Sequence, residues 1–527
     1  MSEKETVVAK LSDLSEGQMK SVAVGEHKIL LSMIGGEIYA VGAHCPHYGA
    51  PLDEGALCGD RILCPWHHAT FDAKTGDLLE PPSLEALPTF DVRVDGDSIL
   101  VKLPDEIPMS RTPDMTRHDP EVDNRTFVII GGGAAANTAA QTLREDGFKG
   151  RIFMITQEAR SPYDRPNLSK EYLQGNAEPD WMPLRPESFY KEHDITLLMN
   201  RRVTGVDIAR RAIEFEGREP MDYDELLLAT GGVPRRLNIP GANDKNVFTL
   251  RSQDDCDDII AKATEGQRAV LIGASFIGME VAHSLIERKL AVTVVAPESV
   301  PFEQTLGKQI GTMIQNYHAS TGVDFRLGAS VSHIIADDHV TGVELASGEK
   351  ISADFVVLGV GVKPATEFLH GIKLQPDGSV AVDEYMQVAE HLYAAGDIAT
   401  YSDWRTGEPT RIEHWRVALQ QGRYAAHNMA GKKTLYRSVP FFWTIQGDVR
   451  LTYVGHTRKW DDIIIDGDLN ARKFVAYYVT GNDVHAAVGS ARHHDMDLIE
   501  ELMRVDKMPK ADDLRKGPVD LSDRLAG

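Results

Sequence analysis

Cysteine is scarce: four thiols, Cys45, Cys58, Cys64 and Cys256, serve 527 residues. So few cannot staple a chain of this length, which excludes a disulfide scaffold and fits a reducing compartment. Basic charge is also short, since 56 Lys and Arg face 79 Asp and Glu for a formal net charge of −23. That sign repels phosphate backbones and anionic lipid, so no nucleic-acid or membrane-surface role is expected. The longest uncharged run, Thr126 to Leu143, carries Asn137, Thr138, Gln141, Thr142 and three glycines, and is not a membrane span. No basic stretch leads into an apolar core after Met1, so no leader peptide is read and a cytoplasmic location is expected. What is present is globular, 42% hydrophobic and 26% charged, with length for three or four domains at about 150 residues each.

Short alternating runs such as Ile29–Leu31, Ile38–Val41 and Ser98–Val101, broken by Gly and Pro turns, predict a small all-β domain over residues 1–103. Residues 104–125 hold four prolines and no apolar periodicity, and read as an extended linker. From Thr126 the pattern becomes strand, helix, strand: Phe127–Ile130, Ala134–Glu145, Ile152–Thr156, and again Ala269–Ile272, Ser275–Arg288, Ala291–Ala296. Two such units predict two interleaved α/β, Rossmann-like domains, one over 126–248 and 371–438, the other over 249–370. Aromatic strand-like segments (Phe441–Trp443, Phe474–Val479) and a helical stretch near Asp497–Arg504 predict a small α+β domain over 439–527. The fold class is therefore multidomain.

Cys45-Pro46-His47 and Cys64-Pro65-Trp66-His67 enclose 16 residues, one Cys and one His per loop. Two Cys and two His can bind zinc, but this pairing suits a [2Fe–2S] centre in which two thiolates hold one iron and two imidazoles the other. At this point the sequence resembles the Rieske ferredoxin family, through Phe71-Asp72, Thr75-Gly76, Pro81-Pro82 and Leu87 as well as the ligands Cys45, His47, Cys64 and His67. The resemblance implies a low-potential member, since Ala50 and Ala69 stand where high-potential relatives carry a disulfide. It also marks a departure: His68 stands where the family usually has Gly, a position that tolerates His at modest cost if φ is positive. Ligation by His68 in place of His67 is the less favoured register.

Gly131-Gly132-Gly133-Ala134-Ala135-Ala136 follows a strand and opens a helix, with Glu158 twenty-two residues beyond Ala136. Small residues (Gly131, Gly133, Ala136) let a pyrophosphate approach the helix N-terminus, and the carboxylate accepts from ribose hydroxyls. Gly273-Ala274-Ser275-Phe276-Ile277-Gly278 repeats the context. The motifs Leu228–Gly232, Gly359-Val360-Gly361 and Ala395-Gly396-Asp397 follow in an order that resembles two-dinucleotide-domain flavoproteins. Pro162–Lys170, Arg251, Arg411–Trp415 and Pro440–Trp443 narrow the resemblance to the ferredoxin-reductase and apoptosis-inducing-factor-like group with a fused Rieske domain. It implies FAD at the first motif, contacted by Arg165, Lys170, Val203, Arg251, Asp397 and Trp415, and NAD(P)H at Gly273, Gly278 and Gly361. It also implies that the chain is neither a disulfide reductase nor a peroxidase, because no Cys pair is present and Lys170 stands where a peroxidase thiol would be.

Lys170 and Glu280 are expected to pair near the flavin as the catalytic residues, an ammonium there favouring the reduced ring. NADH is expected over NADPH, because Glu298 is the nearest carboxylate after the Ala291–Ala296 strand and no Arg occurs between Ala291 and Glu303. The expected activity is reduction of FAD by NADH, then of the chain's own [2Fe–2S] cluster, then of an external acceptor such as an oxygenase or another redox protein. A redox-sensing or signalling flavoprotein of low turnover is the rival reading. Acceptor, direction of net flow and oligomeric state stay open.

Overall fold

A computed structural model describes residues 3–526. The amino-terminal region is all-β. An antiparallel sheet of six strands runs in the order Glu3–Lys10, Ser98–Pro104, Thr89–Asp95, Glu37–Gly42, His27–Ile34, Met19–Val24. Its alternating apolar residues, Ile29, Leu31, Ile99 and Val101 among them, fill one buried face. A smaller four-stranded meander, Ala56–Cys58, Arg61–Leu63, Thr70–Asp72 and Leu78–Glu80, carries the Cys64–His67 turn.

The first α/β domain builds a sheet in the order Ile195–Leu198, Arg151–Ile155, Thr126–Ile130, Glu225–Leu228, Leu392–Ala394, Gln387–Ala389, parallel except for the last strand. Thr126–Ile130 is buried throughout, as a central parallel strand covered on both faces requires. Helix α1 (Ala134–Glu145) leaves that strand. The second α/β domain repeats the scheme with five parallel strands in the order Val247–Thr249, Phe355–Leu358, Arg268–Ile272, Ala291–Ala296, Asp324–Leu327, and with helix α2 (Phe276–Glu287). Helix α3 (Trp415–Met429) returns to the first domain and lies on α1; a Cβ at Gly422 would stand 2.2 Å from the Ala135 carbonyl oxygen. Only glycine allows that approach.

The last domain is a five-stranded antiparallel sheet, Phe441–Gln446, Val449–Gly455, Asp483–Ser490, Lys473–Thr480, Asp462–Asp468, packed against helix α4 (His493–Arg504). Among the described residues no helix is long and apolar enough to cross a membrane.

Residues 105–125 contain no helix or strand of their own, yet they do not hang free. Ala86 and Arg111 exchange both backbone hydrogen bonds at 2.9 Å, and the Thr116 and Asp119 amides donate to the Arg144 and Lys149 carbonyls at 3.0 and 2.8 Å. The expected extended linker is thus a strap, pinned to the β domain at one end and to the end of α1 at the other. Composition alone shows that the segment lacks periodicity; the partners of its polar groups come from two other domains.

Candidate functional site

The two ligand loops close alike. Cys45 and Cys64 amides donate to the Ala50 and Ala69 carbonyls, both at 2.9 Å, so each turn folds back over its Cys. Both thiols are buried and share a hydrogen bond, with the backbone N–H groups of His47 and Tyr48 aimed at one sulfur and those of Trp66 and His67 at the other. Two amides per sulfur favour the thiolate, but the neighbouring Cys64 and burial push the Cys45 thiol well above its usual range, while Cys64 itself is held below it. The Nδ1 atoms of His47 and His67 converge to 3.1 Å, and burial pushes the His47 imidazole down to about 3 and that of His67 lower than usual, which keeps both neutral. The donors therefore come as a thiol pair and an imidazole pair. Among the described residues no three His, Cys, Asp or Glu side chains surround a single point. A thiol pair beside an imidazole pair fits two irons with two ligands each.

The imidazole end of this centre faces the rest of the protein. The His67 ring lies 4.4 Å from Trp443, and the Tyr48 hydroxyl donates to the Asp164 carboxylate inside the Pro162–Lys170 segment. Burial raises the Asp164 carboxyl to about 6. Trp443 sits on the strand Phe441–Gln446, whose Phe442 stacks on His414 at 4.2 Å.

Behind that joint opens a cleft of about 1030 Å³. Gly131, Gly133, Glu158, Arg165, Val203, Arg251, Asp397 and Trp415 all line it, and Ala136 lies buried one turn into α1. At Gly131, φ of 147° places any Cβ 2.2 Å from the Ala229 carbonyl oxygen, whereas a Cβ at Gly133 would meet nothing of the protein within 4 Å. The second glycine thus keeps clear a space that the protein itself leaves unfilled at a helix N-terminus, as a pyrophosphate requires. Glu158 accepts from Tyr163 at 2.6 Å and from Arg165 at 2.9 Å; Arg251 and Asp397 pair at 2.7 Å across the cleft. The residues present fit FAD.

Lys170 and Glu280 come together between the domains. The ammonium donates to Glu280 Oε2 at 2.7 Å and to the Pro166 carbonyl at 3.0 Å. Ser169 also donates to Oε2, at 2.5 Å, while Thr444 and the Ile445 amide donate to Oε1 at 2.6 and 3.3 Å. Both residues are buried, so each charge has its counter-charge and its hydrogen bonds in place. In the second α/β domain, a Cβ at Gly273 (φ 112°) would stand 2.4 Å from the Gly359 carbonyl oxygen, and one at Gly278 equally close to that of Gly273. Glu298 is half-buried just past its strand. Gly361 precedes Val362–Pro364, which pairs with Gly232–Pro234 in the two-stranded crossing between the α/β domains. Cys256 is buried, its thiol donating to the Leu168 carbonyl at 3.2 Å.

Several residues at this junction had no motif to mark them. Tyr48 follows the first ligand loop and Asp164 lies within Pro162–Lys170, but nothing local tells that they meet; Glu500 and Asp497 of α4 approach His68 from more than 400 residues away in sequence.

The chain matches the pyridine nucleotide-disulphide oxidoreductase family over residues 125–422, the Rieske [2Fe–2S] domain over 4–91 and the reductase C-terminal family over 441–525. Apoptosis-inducing factor 3 of Mus musculus is 37% identical over 493 residues, covering 92% of this chain and 81% of that protein. Putidaredoxin reductase CamA of Pseudomonas putida is 31% identical over 393 residues, covering 73% and 93%. A crystal structure of the covalent putidaredoxin reductase–putidaredoxin complex superposes with a TM-score of 0.73 at 30% identity, over 76% of this chain and 98% of that one.

Proposed function

Because the chain belongs to the pyridine nucleotide-disulphide oxidoreductase family and carries Rieske and reductase C-terminal regions, we propose that it is an NADH-dependent reductase with a built-in one-electron carrier, delivering electrons to an external redox protein. When bound, FAD supplies two-electron acceptance with one-electron release, and the [2Fe–2S] centre supplies one-electron carriage. The observation that carries this reading is the joint itself, with His67 packed 4.4 Å from Trp443 and Tyr48 bonded to Asp164.

The protein's own groups have distinct tasks. Gly131, Gly133 and the start of α1 hold the FAD pyrophosphate, Glu158 accepts from its ribose, and Arg165, Val203, Arg251, Asp397 and Trp415 bound the rest of the cleft. Gly273, Gly278 and Gly361 border the nicotinamide dinucleotide, with Glu298 favouring a 2′-hydroxyl over a 2′-phosphate. Lys170 brings a buried positive charge that favours the reduced flavin, and Glu280 holds that ammonium in place. Cys45, Cys64, His47 and His67 are the cluster ligands.

Anaerobic addition of NADH, followed by flavin absorbance and by EPR of the cluster, tests the path. Both centres are expected to reduce in sequence; a flavin that bleaches while the cluster stays oxidised, or stoichiometric zinc in anaerobically purified protein, would sink it. The similarity to apoptosis-inducing factor 3 supports a second reading, a redox-dependent signalling protein. Steady-state electron transfer to cytochrome c or a dye separates the two, since a sensor gives a long-lived reduced state with little turnover.

A further inference from the structure

His68 occupies a position that its own loop would fill with glycine. The amides four residues beyond each ligand Cys, Gly49 and His68, donate back to the Cys45 and Cys64 carbonyls at 2.8 and 3.0 Å, and both residues are left-handed, with φ of 76° and 56°. In the sister loop a Cβ at Gly49 would meet nothing within 4 Å. A histidine in this conformation carries a backbone cost that glycine avoids. Its imidazole returns nothing to the loop, because its partners lie in other domains.

Those partners form a closed cluster. His68 is fully buried, with Nδ1 2.5 Å from Glu500, Nε2 3.1 Å from Asp497, and its ring 4.2 Å from Phe441. Arg416, at the start of α3 and also fully buried, donates to Glu500 at 2.9 Å, to the His68 carbonyl at 2.8 Å and to the Pro81 carbonyl at 2.7 Å. Around it Gln420 reaches Glu80 at 2.8 Å and Arg423 reaches the Leu78 and Leu79 carbonyls at 3.0 Å. Separating the Rieske domain would take from Arg416 its two carbonyl acceptors, His68 and Pro81, and from Glu500 its imidazole partner, leaving this buried pair only each other.

We propose that His68 is a positioning residue, a lock that keeps the Rieske domain seated on the flavin and carboxyl-terminal domains through turnover, so that the carrier is fixed and does not swing. The inference rests on the reading that electrons pass within the chain. The pinned strap agrees with it, since a swinging carrier needs slack between Ala86 and Thr116 that the backbone bonds remove.

The holoenzyme with His68→Gly keeps the loop's backbone conformation and loses only the imidazole. It is expected to retain the visible and EPR signatures of the cluster, while trypsin cleaves the strap at Arg111, Arg117 or Arg125 at least about tenfold faster and small-angle scattering shows a larger radius of gyration. Cluster reduction after NADH should slow by about tenfold or more and become dependent on solvent viscosity, whereas the wild-type rate should not depend on it. Glu500→Gln, which leaves the loop untouched, should give the same pattern at smaller size. Cleavage and scattering unchanged in both variants, or a wild-type rate that falls in proportion to viscosity, would overturn the lock. Cleavage and scattering need no electron transfer, so a wild-type cluster that NADH cannot reduce would fail the proposed function while the lock is still judged.

Discussion

The joint around the Rieske loops and the polar network around Lys170 and Glu280 are built on opposite plans. On the cluster side the contact is closed: rings pack at His67 and Trp443, Tyr48 bonds Asp164, and buried ions tie His68 and Arg416 to α4. Lys170 and Glu280 stand instead in a ready-made polar network beside a cavity of about 160 Å³, which His283 and Arg450 also line. The joint is held by packing and desolvated charge, while the network presents to its cavity polar groups that are already satisfied. Preorganisation of this kind lets binding proceed without first repairing an unpaired buried charge.

The largest effect is expected on the closed side. His67→Ala should abolish the Rieske absorbance and EPR signals outright, while NADH still bleaches the flavin at close to the wild-type rate. If flavin reduction fails as well, the two sides are not separable.

Lys170→Ala acts on the polar network itself. It should slow hydride transfer by roughly ten- to a hundredfold and lower the flavin potential, because the buried cation that favours the reduced ring is gone and Glu280 is left unpaired. Stopped-flow reduction and a potentiometric titration read both; unchanged values would remove Lys170 from the site.

A third test concerns the support behind Glu280. His318 is buried, bonds Gln446 at 2.9 Å, and Gln446 donates to Thr444, itself bonded to Glu280. Burial depresses its imidazole from 6.5 to about 4. Between those values the unfolded chain binds a proton that the folded one refuses, so stability is full above 6.5 and is lost as pH falls toward about 4, by about 3 kcal/mol at most from this group. His318→Gln should flatten that part of the stability–pH curve, read from denaturant midpoints.

The smallest effect is expected at Glu298. Glu298→Ala should lower the preference for NADH over NADPH by about two- to fivefold, the scale of a partly exposed charge. A wild-type kcat/KM ratio near one, or favouring NADPH, would contradict the assigned preference.

Much of this was legible in the sequence because it is local. The helices of both α/β units end within a residue or so of where glycine motifs and apolar periodicity place them, and the Rieske spacing names its donors since each Cys–His pair sits on one short turn. His68 was visible as a misfit, a side chain where the backbone calls for glycine, but its reason was not. That the linker is pinned at both ends was not legible for the same cause: hydrogen bonds from Thr116 to Arg144 or from Asp119 to Lys149 leave no local pattern.

Spacing within a few residues was enough to order the domains and to propose the donor sets and the two glycine cradles, because all of these depend on local backbone conformation. The folded chain alone shows that the imidazole end of the Rieske centre faces Trp443, that Tyr48 meets Asp164, and that α4 closes over His68. Those juxtapositions join residues up to 432 positions apart, and they are set by which buried surfaces fit and which buried charges find partners, quantities that belong to the packed chain and to no segment of it.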